Sequence, residues 1–282
     1  MSKIVCNKQI LLGAIKYALS KNRTVFEQLS NVGGNACNQR MCCTTDNSLI
    51  EFHGVWPEVE KLKFIKDMRI VPNFLSEDEE NKIFLEVDPH MSRLHYEYDH
   101  WDDAIHGYRE TERKQWYSHN REILDRVGKM AFEGAVMPYV HVLDLAAKGV
   151  IKPHVDSTRY CGNTIAGISM LSDAVMRLVR TDERKYLQQP DAVDGGTAQV
   201  SAAANETYRD QPKTTLENNF YADLLLPRRS LYIMSHSARY NFTHEILPNE
   251  KSIFNEKMVA KDRRISIICR NEPVILNEPL KV

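Results

Sequence analysis

Net charge is the first thing this 282-residue chain lacks: 37 basic residues face 38 acidic ones, leaving −1. No overall field draws such a protein to a phosphate backbone, so any nucleic-acid contact would need a local patch. The best local candidate, Arg109, Arg113, Lys114 and Arg121, is interrupted by Glu110 and Glu112 and reads as a solvated mixed-charge face. Cysteine lacks a metal-binding rhythm. Cys6, Cys37, Cys42, Cys43, Cys161 and Cys269 form no paired CxxC units, and no His or fourth Cys stands at finger spacing from Cys37, Cys42 and Cys43. A chain of this size needs no disulfide staples, so a reducing intracellular compartment is expected.

Acid is nearly missing from the first 45 residues, where Glu27 alone stands against Lys3, Lys8, Lys16, Lys21, Arg23 and Arg40. Ile4, Leu11, Ile15 and Leu19 recur between them at helix-like spacing. A basic, amphipathic, acid-poor start predicts a mitochondrial presequence, and lysines at intervals of eight residues or fewer exclude a membrane span there. The matrix is the expected destination. Residues 1–65 are therefore expected to be presequence-like and poorly ordered, and 66–282 to form one domain. Hydrophobic content of 43% suffices for one sizeable core.

Local signals place the elements of that domain. Ser76 and Glu79 make a capping box, predicting a helix to about Val87 that buries Ile83, Phe84 and Val87. A second helix is expected over 118–132, with Ile123, Leu124, Val127 and Met130 on one stripe. Short Val-, Ile-, Tyr- and Leu-rich runs then recur at 139–145, 164–171, 175–181, 221–226, 231–235, 240–247 and 264–270. Their length and the turns between them predict antiparallel strands of a sandwich or jelly roll. Residues 183–219 lack that rhythm and are expected to be a mobile insertion.

The chemistry is concentrated in His154-Val155-Asp156, in His244 and in the run Arg264 to Arg270. Side chains two apart on an extended segment point the same way, so His154 and Asp156 can grip one ion, with His244 completing the set. Two histidines and one carboxylate on one face of an octahedral ion leave positions open, the facial triad of non-haem Fe(II) oxygenases. An HxD pair alone occurs in many exposed loops, but the last strand adds to it. Arg264, Ser266, Ile268 and Arg270 share one face, Ile265, Ile267 and Cys269 the other, so both faces read as enclosed. An arginine on an enclosed face is costly unless a carboxylate meets it, and 2-oxoglutarate supplies one. His141 and His236 are candidate hydrogen-bonding supports, His100 and His106 structural, and Asp144 is expected to face away from the site. Arg239 is expected to pair with a carboxylate near His244.

From about Arg69 to Pro273 the chain resembles the AlkB-type Fe(II)/2-oxoglutarate dioxygenases, in particular their mitochondrial homologue-seven branch. The carriers are Tyr96-Glu97-Tyr98-Asp99-His100-Trp101-Asp102, Ala104-Ile105-His106-Gly107, His141-Val142-Leu143-Asp144-Leu145 and Ile151-Lys152-Pro153-His154-Val155-Asp156-Ser157. Downstream stand Thr164-Ile165-Ala166-Gly167, Val175-Met176-Arg177-Leu178-Val179, Ser230-Leu231-Tyr232-Ile233, Ser237-Ala238-Arg239-Tyr240, His244-Glu245-Ile246-Leu247 and Arg263-Arg264-Ile265-Ser266. The resemblance implies a mainly β fold with flanking helices, a double-stranded β-helix of the cupin-like jelly-roll kind. It implies His154, Asp156 and His244 as ligands of Fe(2+), Arg264 on the distal carboxylate of 2-oxoglutarate, and Tyr232, Ser266 and Arg270 around that cosubstrate.

Two departures from the wider pattern bear on the substrate. Leu143 and Leu145 stand where nucleic-acid-repairing relatives carry Asn and Tyr, so the pocket is expected to be drier, with Tyr232 supplying a hydroxyl. No long basic and aromatic hairpin precedes Val140, as though the nucleotide lid were missing. An open site suits a protein or a structured RNA better than a base from duplex DNA. The implied reaction consumes O2 and 2-oxoglutarate and yields succinate and CO2 while a C–H or N-methyl group is oxidised. Three readings stay open: demethylation of structured mitochondrial RNA such as tRNA, oxidation of a protein or small metabolite, and a non-catalytic iron- and 2-oxoglutarate-binding module. The resemblance also implies roles in fatty-acid metabolism and programmed necrosis. A monomer is expected.

Overall fold

The computed structural model describes residues 46–98, 104–181 and 220–273. Strand β1 (Ile50–His53) leads to helix α1 (Glu58–Asp67), strand β2 (Met68–Val71) and helix α2 (Glu77–Met91). Then come β3 (Ile105–Arg113), α3 (Ser118–Ala131), β4 (Val140–His154), β5 (Thr164–Met170) and β6 (Ala174–Arg180). β7 (Tyr221–Leu226), β8 (Leu231–Ser235), α4 (His236–Tyr240), β9 (Phe242–Ile246), β10 (Ile253–Phe254), β11 (Lys257–Met258) and β12 (Arg264–Arg270) complete it. Ten strands join one antiparallel sheet in the order β1-β7-β6-β9-β4-β12-β5-β8-β2, with β3 on the free side of β4.

β4 is the hinge of this sheet. Its first half pairs β12, from Ile268↔His141 to Arg264↔Leu145, and its second half pairs β9, at Ile151↔Ile246 and His154↔His244. The strand bends between those halves, where Gly149 crosses β3: a Cβ there would lie 2.5 Å from the Gly107 carbonyl oxygen. One strand thus serves two half-sheets, and the sheet curls on itself into the expected double-stranded β-helix. Alternation sorts the side chains. Ile265, Ile267, Cys269, Ala166, Ile168 and Met170 face outward and pack with Ile83, Val87, Ile123, Leu124 and Val127 of the helices. Leu143, Leu145, Ile165, Tyr232 and Met234 face the interior.

The capping box holds as the sequence predicts: Ser76 Oγ accepts from the Glu79 amide at 3.1 Å, and the Glu79 carboxylate accepts from the Ser76 amide at 2.9 Å. The boundary at 66 is corrected. Residues 46–65 belong to the folded unit, because β1 pairs β7 and Trp56 packs with Phe52, Phe64, Phe220 and Phe242 beneath it. The Trp56 indole also donates to the Tyr221 carbonyl at 3.2 Å. Sparse alternation over so short a strand hid β1, and the charged sequence of β3 hid that strand. The mixed-charge face at 109–121 is corrected as well. Arg109 is buried and its Nε donates to Asp144 at 2.8 Å, while Arg113 pairs with Glu86 at 2.9 Å; of that set Arg121 fits the expectation, in an exposed pair with Asp125. The expected presequence, the insertion at 183–219 and His100 lie outside the described residues.

Candidate active site

Strand pairing assembles the first part of the site. His154 ends β4 directly opposite His244 of β9, and their rings lie 4.2 Å apart between centroids. Asp156 follows two residues beyond the strand end, and its two oxygens reach to 3.9 Å from His154 Nε2 and 3.5 Å from His244 Nε2. One ligand atom from each of the three lies within 4.8 Å of the others. His154 Nδ1 is 2.9 Å from the Lys152 carbonyl oxygen, so it carries the proton and leaves Nε2 as a bare donor. His244 Nδ1 is buried without a partner among the described residues.

The charge states also suit a cation. Burial, with the neighbouring His154 next, pushes His244 down to about 3, so it stays neutral at neutral pH. Burial alone would raise Asp156, but His244, His154, Arg239 and Arg270 outweigh it and hold the carboxyl below its usual range. One ionised carboxylate, the neutral His244 imidazole and the His154 Nε2 facing a common point are the donor set a divalent iron takes. These residues fit Fe(II).

A second demand comes from the floor of the barrel. Arg264 is 2% exposed; its Nε donates to Ser169 Oγ at 2.9 Å, and Nη2 is buried with no partner. No acid pairs with it among the described residues, and burial lowers its affinity for its own proton. Lys261, also 2% exposed, spends its ammonium on the Ala146 and Ala147 carbonyls at 3.2 and 2.8 Å, and burial, then Arg264, draws it down to about 8. A buried guanidinium with no acid partner among the described residues, beside a second buried cation, is expensive, and an anion entering the barrel relieves it. Tyr232 lies above, its ring flat against Gly167, where any Cβ would collide with Cε1, Cζ and Oη. Burial raises its phenol to about 12, so it remains a hydrogen-bond donor. Ser266 is buried on the same strand face, opposite Leu143 and Ser169.

Arg270 occupies the upper part of β12. Its Nη2 donates to His141 Nδ1 at 2.6 Å, Nη1 is 3.6 Å from Glu112, and Nε is buried and unpartnered. Asp144 is fully buried facing away from the interior, as expected, and holds Arg109 and Arg263 at 2.8 and 2.7 Å. Arg239 makes no hydrogen bond to a carboxylate among the described residues; its Nη2 donates to the Ser157 carbonyl at 3.1 Å, and its charge acts on Asp156, the carboxylate beside His244. Ser169 is not singled out by sequence and Gly167 stands there only within the family motif, without a role, though alternation along β5 places Ile165, Gly167 and Ser169 on the interior face.

A His–Asp–His trio that could hold a metal ion and a buried cation with no acid partner among the described residues ask together for a metal and a dicarboxylate, and within a curled antiparallel sheet that pairing marks the class of 2-oxoglutarate-dependent dioxygenases. The chain is 44% identical over 212 residues to the Mus musculus protein alpha-ketoglutarate-dependent dioxygenase alkB homolog 7, mitochondrial, spanning 74% of this chain and 80% of that one. Its Bos taurus counterpart is 45% identical over 215 residues, spanning 75% and 82%. The chain belongs to this alkB homologue 7 family of mitochondrial α-ketoglutarate-dependent dioxygenases, enzymes of Fe(2+), 2-oxoglutarate and O2. No family model matches the chain. Among solved structures, OsALKBH1 aligns with a TM-score of 0.48 at 10% identity, over 73% of this chain and 98% of that one. A Pseudomonas putida prolyl-4-hydroxylase aligns at 0.41 and 11%, over 73% and 92%. Those likenesses are too loose to weigh, and the family rests on the mammalian relatives.

Proposed function

We propose that His154, Asp156 and His244 hold Fe(II), that Arg264 binds the distal carboxylate of 2-oxoglutarate, and that Tyr232, Ser266 and Arg270 line the path between them. The observation that carries this reading is the buried, acid-free guanidinium of Arg264 on the interior face that leads to the trio. When bound, the metal with 2-oxoglutarate and O2 supplies an oxidative decarboxylation, yielding succinate and CO2, that oxidises a C–H bond of a substrate. The protein's residues do the rest. Lys152 fixes the His154 tautomer through its carbonyl, Ser169 braces Arg264, the Tyr232 hydroxyl donates within the pocket, and Leu143 and Leu145 keep water from the cosubstrate.

The substrate we propose is a bulky one, a protein or structured RNA, oxidised at a C–H or N-methyl group by a monomer in the mitochondrial matrix. The net charge of −1 and the carboxylates of Glu110 and Glu112 beside the mouth argue against duplex DNA. No described helix is long and apolar enough to cross a membrane. Roles in fatty-acid metabolism and programmed necrosis would be exerted through that substrate. The test is succinate formation by full-length protein, with crosslinking in isolated mitochondria to capture RNA or protein. His154→Ala and Asp156→Ala are expected to abolish turnover while the chain stays folded. Unchanged turnover in either variant ends the oxygenase reading, and capture of tRNA alone would replace the protein substrate by a demethylation substrate.

A further inference from the structure

Arg270 is a long, flexible cation whose placement the iron trio does not explain. Strand β4 lies between β3 and β12, with His141 opposite Glu112 and Ile268, so Glu110 and Arg270 each stand two residues along from those partners on the same face. His141 Nε2 is 2.8 Å from Glu110 Oε2, and Arg270 Nη2 is 2.6 Å from His141 Nδ1. The side chains are 39% exposed at Glu110, 13% at His141 and 19% at Arg270, so the imidazole in the middle is the most enclosed of the three.

The chemistry of the ends fixes the proton in the middle. A guanidinium has donors and no acceptor, so the Nδ1 it meets must be bare. The ring proton therefore sits on Nε2 and is donated to Glu110. With the interior of β4 otherwise apolar at Leu143 and Leu145, no other group on that strand can hold the guanidinium. Glu112 adds a looser tether at 3.6 Å. Among the described residues the Nε–H of Arg270 is buried and unused, and the guanidinium's charge is felt at Asp156.

We propose that His141, locked in its Nε2–H tautomer by Glu110, is a positioning residue that holds Arg270 so that its spare N–H serves an anionic group of the site. The proposal rests on the reading that Arg270 lines the 2-oxoglutarate pocket. It assigns a role to β3, whose Glu110 acts through the imidazole while Glu112 tethers the guanidinium itself.

Two measurements on full-length protein loaded with Zn(II), a diamagnetic and redox-inert substitute, test it. Long-range 1H–15N spectra of histidine-labelled protein are expected to show one neutral Nε2–H ring that disappears in His141→Gln. Calorimetric titration with 2-oxoglutarate is expected to weaken about tenfold in His141→Ala, the value of one charge-assisted hydrogen bond. His141→Gln, whose amide keeps one donor and one acceptor, is expected to recover most of that loss, which a packing defect would not allow. Glu110→Gln, a surface change that leaves folding intact, is expected to mix the His141 tautomers. An Nδ1–H or doubly protonated ring in the parent protein, or equal affinity in His141→Ala, overturns the proposal. A parent protein that binds no 2-oxoglutarate instead overturns the pocket assignment, and this inference with it.

Discussion

Arg264→Met offers a test in which stability and binding move in opposite directions. Methionine keeps much of the volume and removes the charge. In the ligand-free protein the guanidinium has one neutral acceptor, Ser169, and an orphaned Nη2. Leaving such a group buried costs about 1–3 kcal/mol, which the substitution recovers, less whatever packing is lost. A kilocalorie corresponds to roughly 2–4 °C for a domain of this size, so the ligand-free melting temperature is expected to hold or to rise by a few degrees. Binding should suffer. Loss of a charge-assisted fork removes at least about 1.4 kcal/mol, or tenfold, and a fully desolvated pair about 3–5 kcal/mol. At 2-oxoglutarate near 100 times its dissociation constant the parent protein gains about 2.7 kcal/mol, and most of that shift should vanish in the variant. The assay is differential scanning calorimetry of Mn(II)-loaded protein without oxygen, with and without 2-oxoglutarate. A variant that melts well below the parent yet keeps the full ligand-induced shift would show that Arg264 is a structural residue and that the carboxylate binds elsewhere.

Two further outcomes separate scaffold from site. Asp144→Asn should destabilise the fold by about 3–5 kcal/mol in urea titration, because Arg109 and Arg263 would lose their shared buried counter-charge; a loss under about 1 kcal/mol would mean the network is dispensable. Gly167→Ala should cost about 1–3 kcal/mol and weaken 2-oxoglutarate binding together, since its Cβ displaces the Tyr232 ring. Intact affinity in that variant would remove Tyr232 from the pocket.

Some of this protein was written locally and could be read without coordinates. The capping box at Ser76 and Glu79, the apolar stripe of 118–132 and the two-faced alternation of Arg264 to Arg270 each depend on neighbours within a few residues, and each appears as expected. That His154, Asp156 and His244 lie together was legible because metal chemistry restricts the residue types and the family resemblance points to the distant histidine. Other features have no local signature. Whether Arg109 faces water or Asp144, 35 residues away, depends on β3 lying along β4. Whether Arg270 is steadied by His141 depends on β4 lying between β3 and β12. The amino-acid order determined which groups this chain can bring together, two histidines and a carboxylate that could hold a metal and an arginine enclosed on the last strand. Only the curl of the sheet brought Asp156 and Arg264 both within electrostatic reach of Tyr232, because side-chain alternation sets which face a residue takes, while strand pairing across long sequence gaps sets what it meets there.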